Sequence, residues 1–217
     1  MGGLFHYDGF IVQLCNKIAD SICLSILWLV SSLPIVTIGA STTALYYAIN
    51  EGIRYDNGGI WHAFWRSFRT NFKQATIIWL LLLLVYGALC GSCFSAYRLC
   101  INGLLIKEMF YFLLIALALV MSWGNLLFPY LAKFQNSTGM IFKNCFIIGL
   151  LNFPIALLQP LFFLLVLLGV SFFPLAILCA PGLYMVLSCY TLEPVFRKYM
   201  SPEDRARDDA RLQNLKS

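Results

Sequence analysis

Apolar residues in this chain come in long blocks with short polar punctuation, and the blocks rather than any alternation set the predicted elements. Ser21 to Ile38, Thr76 to Tyr97, Met109 to Tyr130, Cys145 to Gly169 and Phe172 to Val195 each approach the length a helix needs to cross a hydrocarbon layer of roughly 30 Å. The pattern predicts an all-α, polytopic membrane bundle of about five transmembrane helices with interfacial helices beside them. Ahead of the first block, Phe10, Ile11, Leu14 and Ile18 share one helical face while Gln13, Asn16, Lys17 and Asp20 lie elsewhere, which predicts a surface helix over Leu4 to Asp20.

Two stretches break the regularity. Pro34 and Gly39 bracket the sequence PIVTIG, and irregular backbone is expected there, packed on protein or close to the surface. A second short helix follows, with Ser41, Thr42 or Thr43 as its cap and Ala44 to Ile49 as its body. If Ser41 to Asn50 crosses the bilayer, there are six passages and the N-terminus moves inside. The other stretch is Gly58 to Trp79, where Trp61, Phe64, Trp65, Phe68 and Phe72 recur every three or four residues and Arg66, Arg69 and Lys73 fall largely on the other side. Such a helix is expected to lie at headgroup depth, its cations on anionic lipid, before the chain turns into the bilayer at Thr76.

Composition supports a lipid environment. With 60% hydrophobic and 12% charged residues, the chain has too little polar surface to coat a soluble globule of 217 residues. The net charge of +5 comes from cations that flank apolar runs, which fits lipid better than nucleic acid. Twelve of the fifteen Lys and Arg residues fall in Glu51 to Gln74, Ala132 to Asn144 and the segment after Val195. The remaining three, Lys17, Arg98 and Lys107, lie on the other side. The positive-inside rule therefore puts the C-terminus in the cytoplasm and the N-terminus outside. Residues 1–196 read as one membrane domain and 197–217 as a charged cytoplasmic tail, in which Ser201 caps a helix with Pro202 at its first position. Acids and arginines at three- and four-residue spacing support that helix.

Candidate chemistry is sparse. Cys90 and Cys93 form a C-x-x-C inside an apolar helix with no second pair nearby, so they read as small residues that, with Gly87, Gly91, Ser92 and Ser95, permit close helix packing, an oxidised pair at the outer face being the alternative. Both histidines, His6 and His62, fall in surface segments, which leaves no base for a Ser or Cys nucleophile. Neither a catalytic role, a cofactor nor a metal is expected. Glu193 sits four residues before Arg197 and reads as half of an i, i+4 pair. Asn125, Asn152 and Gln159 are the deepest polar side chains, and interhelical hydrogen bonding is their default use, a pore lining the alternative.

The stretch from Asn16 to Ile49 followed by Phe64 to Leu81 resembles the YesL family of bacterial membrane proteins. The resemblance rests on Leu27-Trp28, on Leu33 to Ala40 (LPIVTIGA), on Ala44-Leu45-Tyr46 and on Asn71-Phe72-Lys73-Gln74. Genes of that family commonly lie beside carbohydrate importers of the ABC class. The resemblance therefore implies an accessory or regulatory subunit in the bacterial cytoplasmic membrane, partnered by the lipid bilayer and by ABC importer permease subunits, rather than an enzyme. The alternative is a small stand-alone solute transporter or channel. A weaker likeness joins Glu51 to Lys73 with the E-A-A-x-x-x-G loop through which such permeases dock their ATPase: it rests on Glu51, Asp56, Gly58, Phe64, Trp65, Arg66 and Lys73, while Gly52 and Ile53 replace the paired alanines, the glycine is displaced by one, the prolines are absent and the loop precedes the second span. The resemblance and the aromatic cluster together make Pro34, Gly39, Glu51, Asp56, Trp61, Phe64, Trp65, Arg66, Phe68, Arg69, Phe72 and Lys73 the candidate interface.

The charge asymmetry generates a direct test of orientation. With native cysteines replaced, a cysteine at Asn136 should be shielded from impermeant thiol reagent in intact cells and one at Asn102 labelled, and the reverse pattern would invert the topology.

Overall fold

A computed structural model describes residues 4–54, 59–101, 107–134 and 136–214. Every regular element among them is helical: α1 Leu4–Ser31, α2 Ile38–Ile49, α3 Ile60–Ile101, α4 Lys107–Lys133, α5 Thr138–Leu151, α6 Phe153–Phe172, α7 Ala180–Tyr199 and α8 Pro202–Asn214. Three of these, α3, α4 and α6, are long and apolar enough to cross a membrane.

The short helix α2 lies at the centre. Ala40, Ala44, Leu45, Tyr46, Ala48 and Ile49 are all buried, and α1, α3, α4 and α7 pack around it. It runs antiparallel to the first half of α3, so that Gly39 lies beside Ala75 and Trp79, Tyr47 beside Arg66, and Gly52 beside Ile60. A Cβ added at Gly39 would sit 2.6 Å from the Ala75 carbonyl oxygen and 2.7 Å from the Trp79 Cβ, so only glycine permits this approach.

The backbone between α1 and α2 is irregular, as the Pro34 to Gly39 stretch predicts. α1 ends at Ser31, a 3-10 turn spans Ile35–Thr37, and α2 starts at Ile38. Proline lacks an amide hydrogen and biases the residue before it away from helix, which accounts for the stop. Polar groups of the broken backbone find partners within the chain. The Thr37 hydroxyl donates to the Ser31 and Pro34 carbonyls at 2.6 and 2.7 Å, and the Trp79 indole donates to the Ile35 carbonyl at 2.7 Å. On the far side of the turn, the Trp28 indole donates to the Thr42 hydroxyl at 3.2 Å.

Several predicted boundaries are corrected. Leu4 to Asp20 and the first apolar block share one helix, α1, with no break at Asp20 or Ser21, and that block ends at Ser31 rather than Ile38. Ser41, Thr42 and Thr43 do not cap α2: it begins three residues earlier, and their hydroxyls donate to the Thr37, Ile38 and Gly39 carbonyls one turn back at 3.0, 2.7 and 2.9 Å. The basic aromatic stretch and the second block form one uninterrupted helix of 42 residues, α3, so the chain does not turn at Thr76. Neither Gly nor Pro occurs between Gly59 and Gly87 to stop it. At 1.5 Å per residue α3 is about 63 Å long, roughly twice a hydrocarbon layer, and its basic end projects beyond the apolar part instead of lying flat. The block from Cys145 to Gly169 is divided at Asn152, because Pro154 in the first turn of α6 cannot continue the hydrogen-bond ladder of α5. The last junction falls at Phe173 and a 3-10 turn over Pro174–Leu178, a few residues beyond Val170 and Ser171.

Core side chains concentrate on α2, the first half of α3, the second half of α4, and α5 and α7. The remaining halves of α3 and α4 expose large apolar side chains such as Leu84, Phe94, Phe112 and Ile115, a surface suited to lipid. Gly87 and Gly91 lie on that exposed part, and a Cβ on either would meet nothing within 4 Å. They therefore do not mediate the close helix approach that their spacing predicts.

Gly39→Ala should lower stability by about 1–3 kcal/mol through overpacking against the α3 backbone. Thermal midpoints in detergent check this, with Gly139→Ala, where an added Cβ meets nothing within 4 Å, expected to hold or raise the midpoint.

Candidate functional site

Polar side chains converge where α2, α4 and α7 meet. Lys133, at the end of α4, forms an ion pair with Glu193 on α7, and both side chains are nearly removed from solvent, at 10% and 7% exposure. The Tyr46 hydroxyl on α2 donates to the second carboxylate oxygen of Glu193 at 3.1 Å. One acid is thus shared by two other helices. Its predicted partner was Arg197, four residues along α7, but that guanidinium pairs instead with Asp209 of α8. The physical reason is burial: a carboxylate inside the bundle needs a compensating charge and hydrogen bonds there, whereas Arg197 remains half-exposed at the surface. Phe196 packs edge-on against Tyr46, Tyr130 and Phe134 and closes the cluster over.

A second set of polar contacts joins α3, α4 and α5 nearby. Asn136 and Asn144 donate to the Tyr130 hydroxyl at 3.0 and 2.9 Å, and Gln74 donates to the Asn136 carbonyl at 2.7 Å. Among the deep polar residues, Gln159 is fully buried, donating to Thr191 at 3.0 Å and accepting from Ser188 at 2.9 Å, while Asn152 donates to the Tyr199 hydroxyl at 3.1 Å. These are interhelical hydrogen bonds of the kind expected, tying α6 and the α5–α6 junction to α7. Asn125 is half-buried on α4.

The candidate interface residues divide into two groups. Gly39, Glu51 and Phe64 are buried, and Trp65 and Phe68 are half-buried and packed on the core, so the aromatic face of the basic stretch turns largely toward protein and not toward lipid. Phe64, Trp65, Phe68 and Phe72 form a ladder of ring contacts along α3 at 5.4–6.2 Å. Trp61, at 56% exposure, joins Arg66, Arg69, Phe72 and Lys73 on the outer surface. There Trp61, His62, Trp65, Arg66, Arg69 and Thr70 line an open groove of about 660 Å³. Arg66 is anchored within it by a hydrogen bond to the Tyr47 hydroxyl and by its position over the Tyr47 ring. Pro34 is exposed at the tip of the α1–α2 turn, flanked by Leu33 at 79% exposure. Asp56 and Gly58 lie outside the described residues, as does the side chain of His6.

Sequence reasoning missed the Lys133–Glu193–Tyr46 cluster. Lys133 reads from sequence as an ordinary loop cation, and nothing in its spacing to Glu193, sixty residues on, signals a pair. The one available hint was Glu193 itself, an acid within an apolar block.

A family model described as a protein of unknown function, DUF624, matches residues 21–92, less than half of the chain. The match covers α1 from Ser21 to its end, the irregular turn, α2 and α3 through Ser92, which is the hairpin clamped on its long neighbour. It is consistent with the YesL-type resemblance. No match is found among curated proteins or among solved structures.

Lys133→Met should destabilise the protein by about 3–5 kcal/mol, because it strands a buried carboxylate. Adding Glu193→Gln removes that charge and keeps an acceptor for Tyr46, so the double variant should be more stable than Lys133→Met alone. Unfolding in detergent, followed for wild type and both variants, provides the check.

Proposed function

We propose that this chain is an accessory or regulatory subunit of a carbohydrate ABC importer, with no catalytic activity of its own. It acts in the bacterial cytoplasmic membrane, crossing about five times with its C-terminal tail in the cytoplasm and its N-terminus outside. The observation that carries this reading is how the residues of the resemblance are used. Leu33 to Ala40 form the turn and the α3 contact that hold α2 in place, while α2 and α3 together present Trp61, Arg66, Arg69 and Lys73 on a stiff support. The residues that carry the resemblance are thus spent on positioning a basic, aromatic surface. Such a surface suits a protein partner at the membrane boundary, since exposed Trp and Arg are the side chains that contribute most at interfaces.

A stand-alone transporter is the second reading, favoured by the buried Gln159–Ser188–Thr191 contacts between α6 and α7. Gln159 is fully buried with its amide nitrogen engaged by Thr191 and its oxygen by Ser188, and that closed arrangement suits packing better than passage of a solute.

The test is recovery of permease subunits in a mild-detergent pull-down. Trp65 and Phe68 are poor probes, because both support the core. Trp61→Ala and the pair Arg69→Gln with Lys73→Gln should reduce permease recovery severalfold at matched expression without changing membrane retention. Unchanged recovery in both variants would remove this surface from the interface. Solute flux in liposomes containing this chain alone would instead favour the transporter.

A further inference from the structure

Between the end of α2 and the last turns of α7 lies a cleft of about 420 Å³, lined chiefly by Ile49, Asn50, Tyr190, Pro194 and Arg197. Two departures from regular helix meet there. α2 runs out into a π-helical turn over Asn50–Arg54, and Pro194 inside α7 withdraws the amide that would otherwise bond the Tyr190 carbonyl. Glu193 also borders the cleft, but its carboxylate is engaged by Lys133 and Tyr46. Arg197 is thus the cation at the mouth, and the Asp209 carboxylate of α8 sits on it.

The cleft is graded along α7. Tyr190, Pro194 and Arg197 lie on one helical face, spanning about 10 Å. The Arg197 end is aqueous, because α8, PEDRARDDARLQN, is charged on all sides and requires water. The opposite end is apolar: Tyr190 is 69% exposed, and the helix beyond it carries the exposed Leu183. A cation at a water boundary leading into an exposed apolar wall matches a molecule with a phosphate head and a hydrocarbon body.

We propose that this cleft binds the phosphate group of an anionic phospholipid, with Arg197 as its counter-ion and Asp209 as the intramolecular carboxylate that occupies Arg197 in its absence. A guanidinium takes carboxylate and phosphate by the same paired donors, so one anion can replace the other. Asn50, which lines the same cleft, accepts from the Cys189 thiol through its amide oxygen at 3.9 Å. Lipid binding displaces Asp209 and loosens α8, whose Arg205 is otherwise bonded to the Arg197 and Lys198 carbonyls at 2.9 and 3.3 Å. The tail thereby responds to the charge of the membrane.

The test uses the full chain in phosphatidylcholine nanodiscs with or without phosphatidylglycerol. Lipid retention is read by native mass spectrometry, and tail release by the rate of trypsin cleavage at Arg205 and Arg207. Wild type should retain phosphatidylglycerol over phosphatidylcholine, and phosphatidylglycerol should accelerate cleavage. Arg197→Gln should lose about fivefold in that preference, the equivalent of the ~1 kcal/mol one cation contributes at an anionic surface, and should be cleaved quickly in either lipid. Asp209→Asn should gain in preference, and Arg197→Lys, which keeps the cation, should recover most of it. Retained preference in Arg197→Gln, or cleavage of wild type that is indifferent to phosphatidylglycerol, would overturn the assignment. Inorganic phosphate that displaces the lipid and accelerates cleavage in phosphatidylcholine alone would show a free-phosphate site instead, and the lipid assignment would fall.

Discussion

Everything in this fold depends on satisfying the backbone where α1 stops and α2 begins. A chain that reverses beside apolar surface exposes carbonyls that lipid cannot solvate, each unpaired group costing several kcal/mol. Here the cost is removed locally, by Thr37 on the Ser31 and Pro34 carbonyls, and from across the fold, by Trp79 on Ile35. The Trp79 contact also fixes α3 against the turn, and Gly39 one turn further on lets the two backbones close to contact distance. A similar device recurs at the start of α7. The Gly182 amide, among the donors left without an intrahelical acceptor at the start of α7, donates to the Ser25 hydroxyl of α1 at 2.8 Å. Breaks in helix are therefore tolerated where a neighbouring helix supplies the missing partner.

This placement puts the polar cluster within reach. Because α2 is held between α3, α4 and α7, Tyr46 arrives beside Glu193 without being at the surface. The buried ion pair is not a source of net stability in itself, since desolvating two charges cancels much of their attraction. Its consequence is specificity: α2, α4 and α7 have one arrangement in which the carboxylate meets both the ammonium and the phenol, and a slip of one turn in any of them strands a charge. That is a strong constraint on register for helices that otherwise meet through apolar contacts.

Much of the helical layout was legible in the sequence, for a physical reason. Long apolar blocks have few folds open to them, and the proline that stops α1 and the Ser201–Pro202 start of α8 are local signals, the latter completed by the Asp204 amide donating to the Ser201 hydroxyl at 3.1 Å. Local signals failed where two elements compete. Ser41, Thr42 and Thr43 have cap chemistry, but the Gly39 contact with α3 starts the helix earlier and turns them into interior residues bonding back along it. The aromatic spacing of Phe64, Trp65 and Phe68 correctly marked an apolar stripe, yet periodicity does not say whether a stripe faces lipid or protein, and α2 covers it. The Lys133–Glu193 pair was invisible because it is a contact in space between distant residues, with no pattern along the chain to announce it.

The division within α3 connects these points to function. From about Ile77 onward most of its large apolar side chains are exposed, with Ile78 and Leu82 still in the core, while before Ala75 its apolar side is covered by α2 and its outer side carries Arg66, Arg69 and Lys73. A single helix thus changes solvent partway along its length, and the change falls where Gly39 and Trp79 clamp it. An isolated helix bearing that basic segment would be free to bend or lie flat at the interface, because nothing but its own hydrogen bonds would hold it straight. Packing α2 alongside removes that freedom, and Arg66, tied to Tyr47, adds a cross-link near the far end. The hairpin of α1 and α2 is therefore best understood as a brace: it consumes the residues of the family match to keep a charged surface at a fixed distance and angle from the membrane-facing part of the same helix.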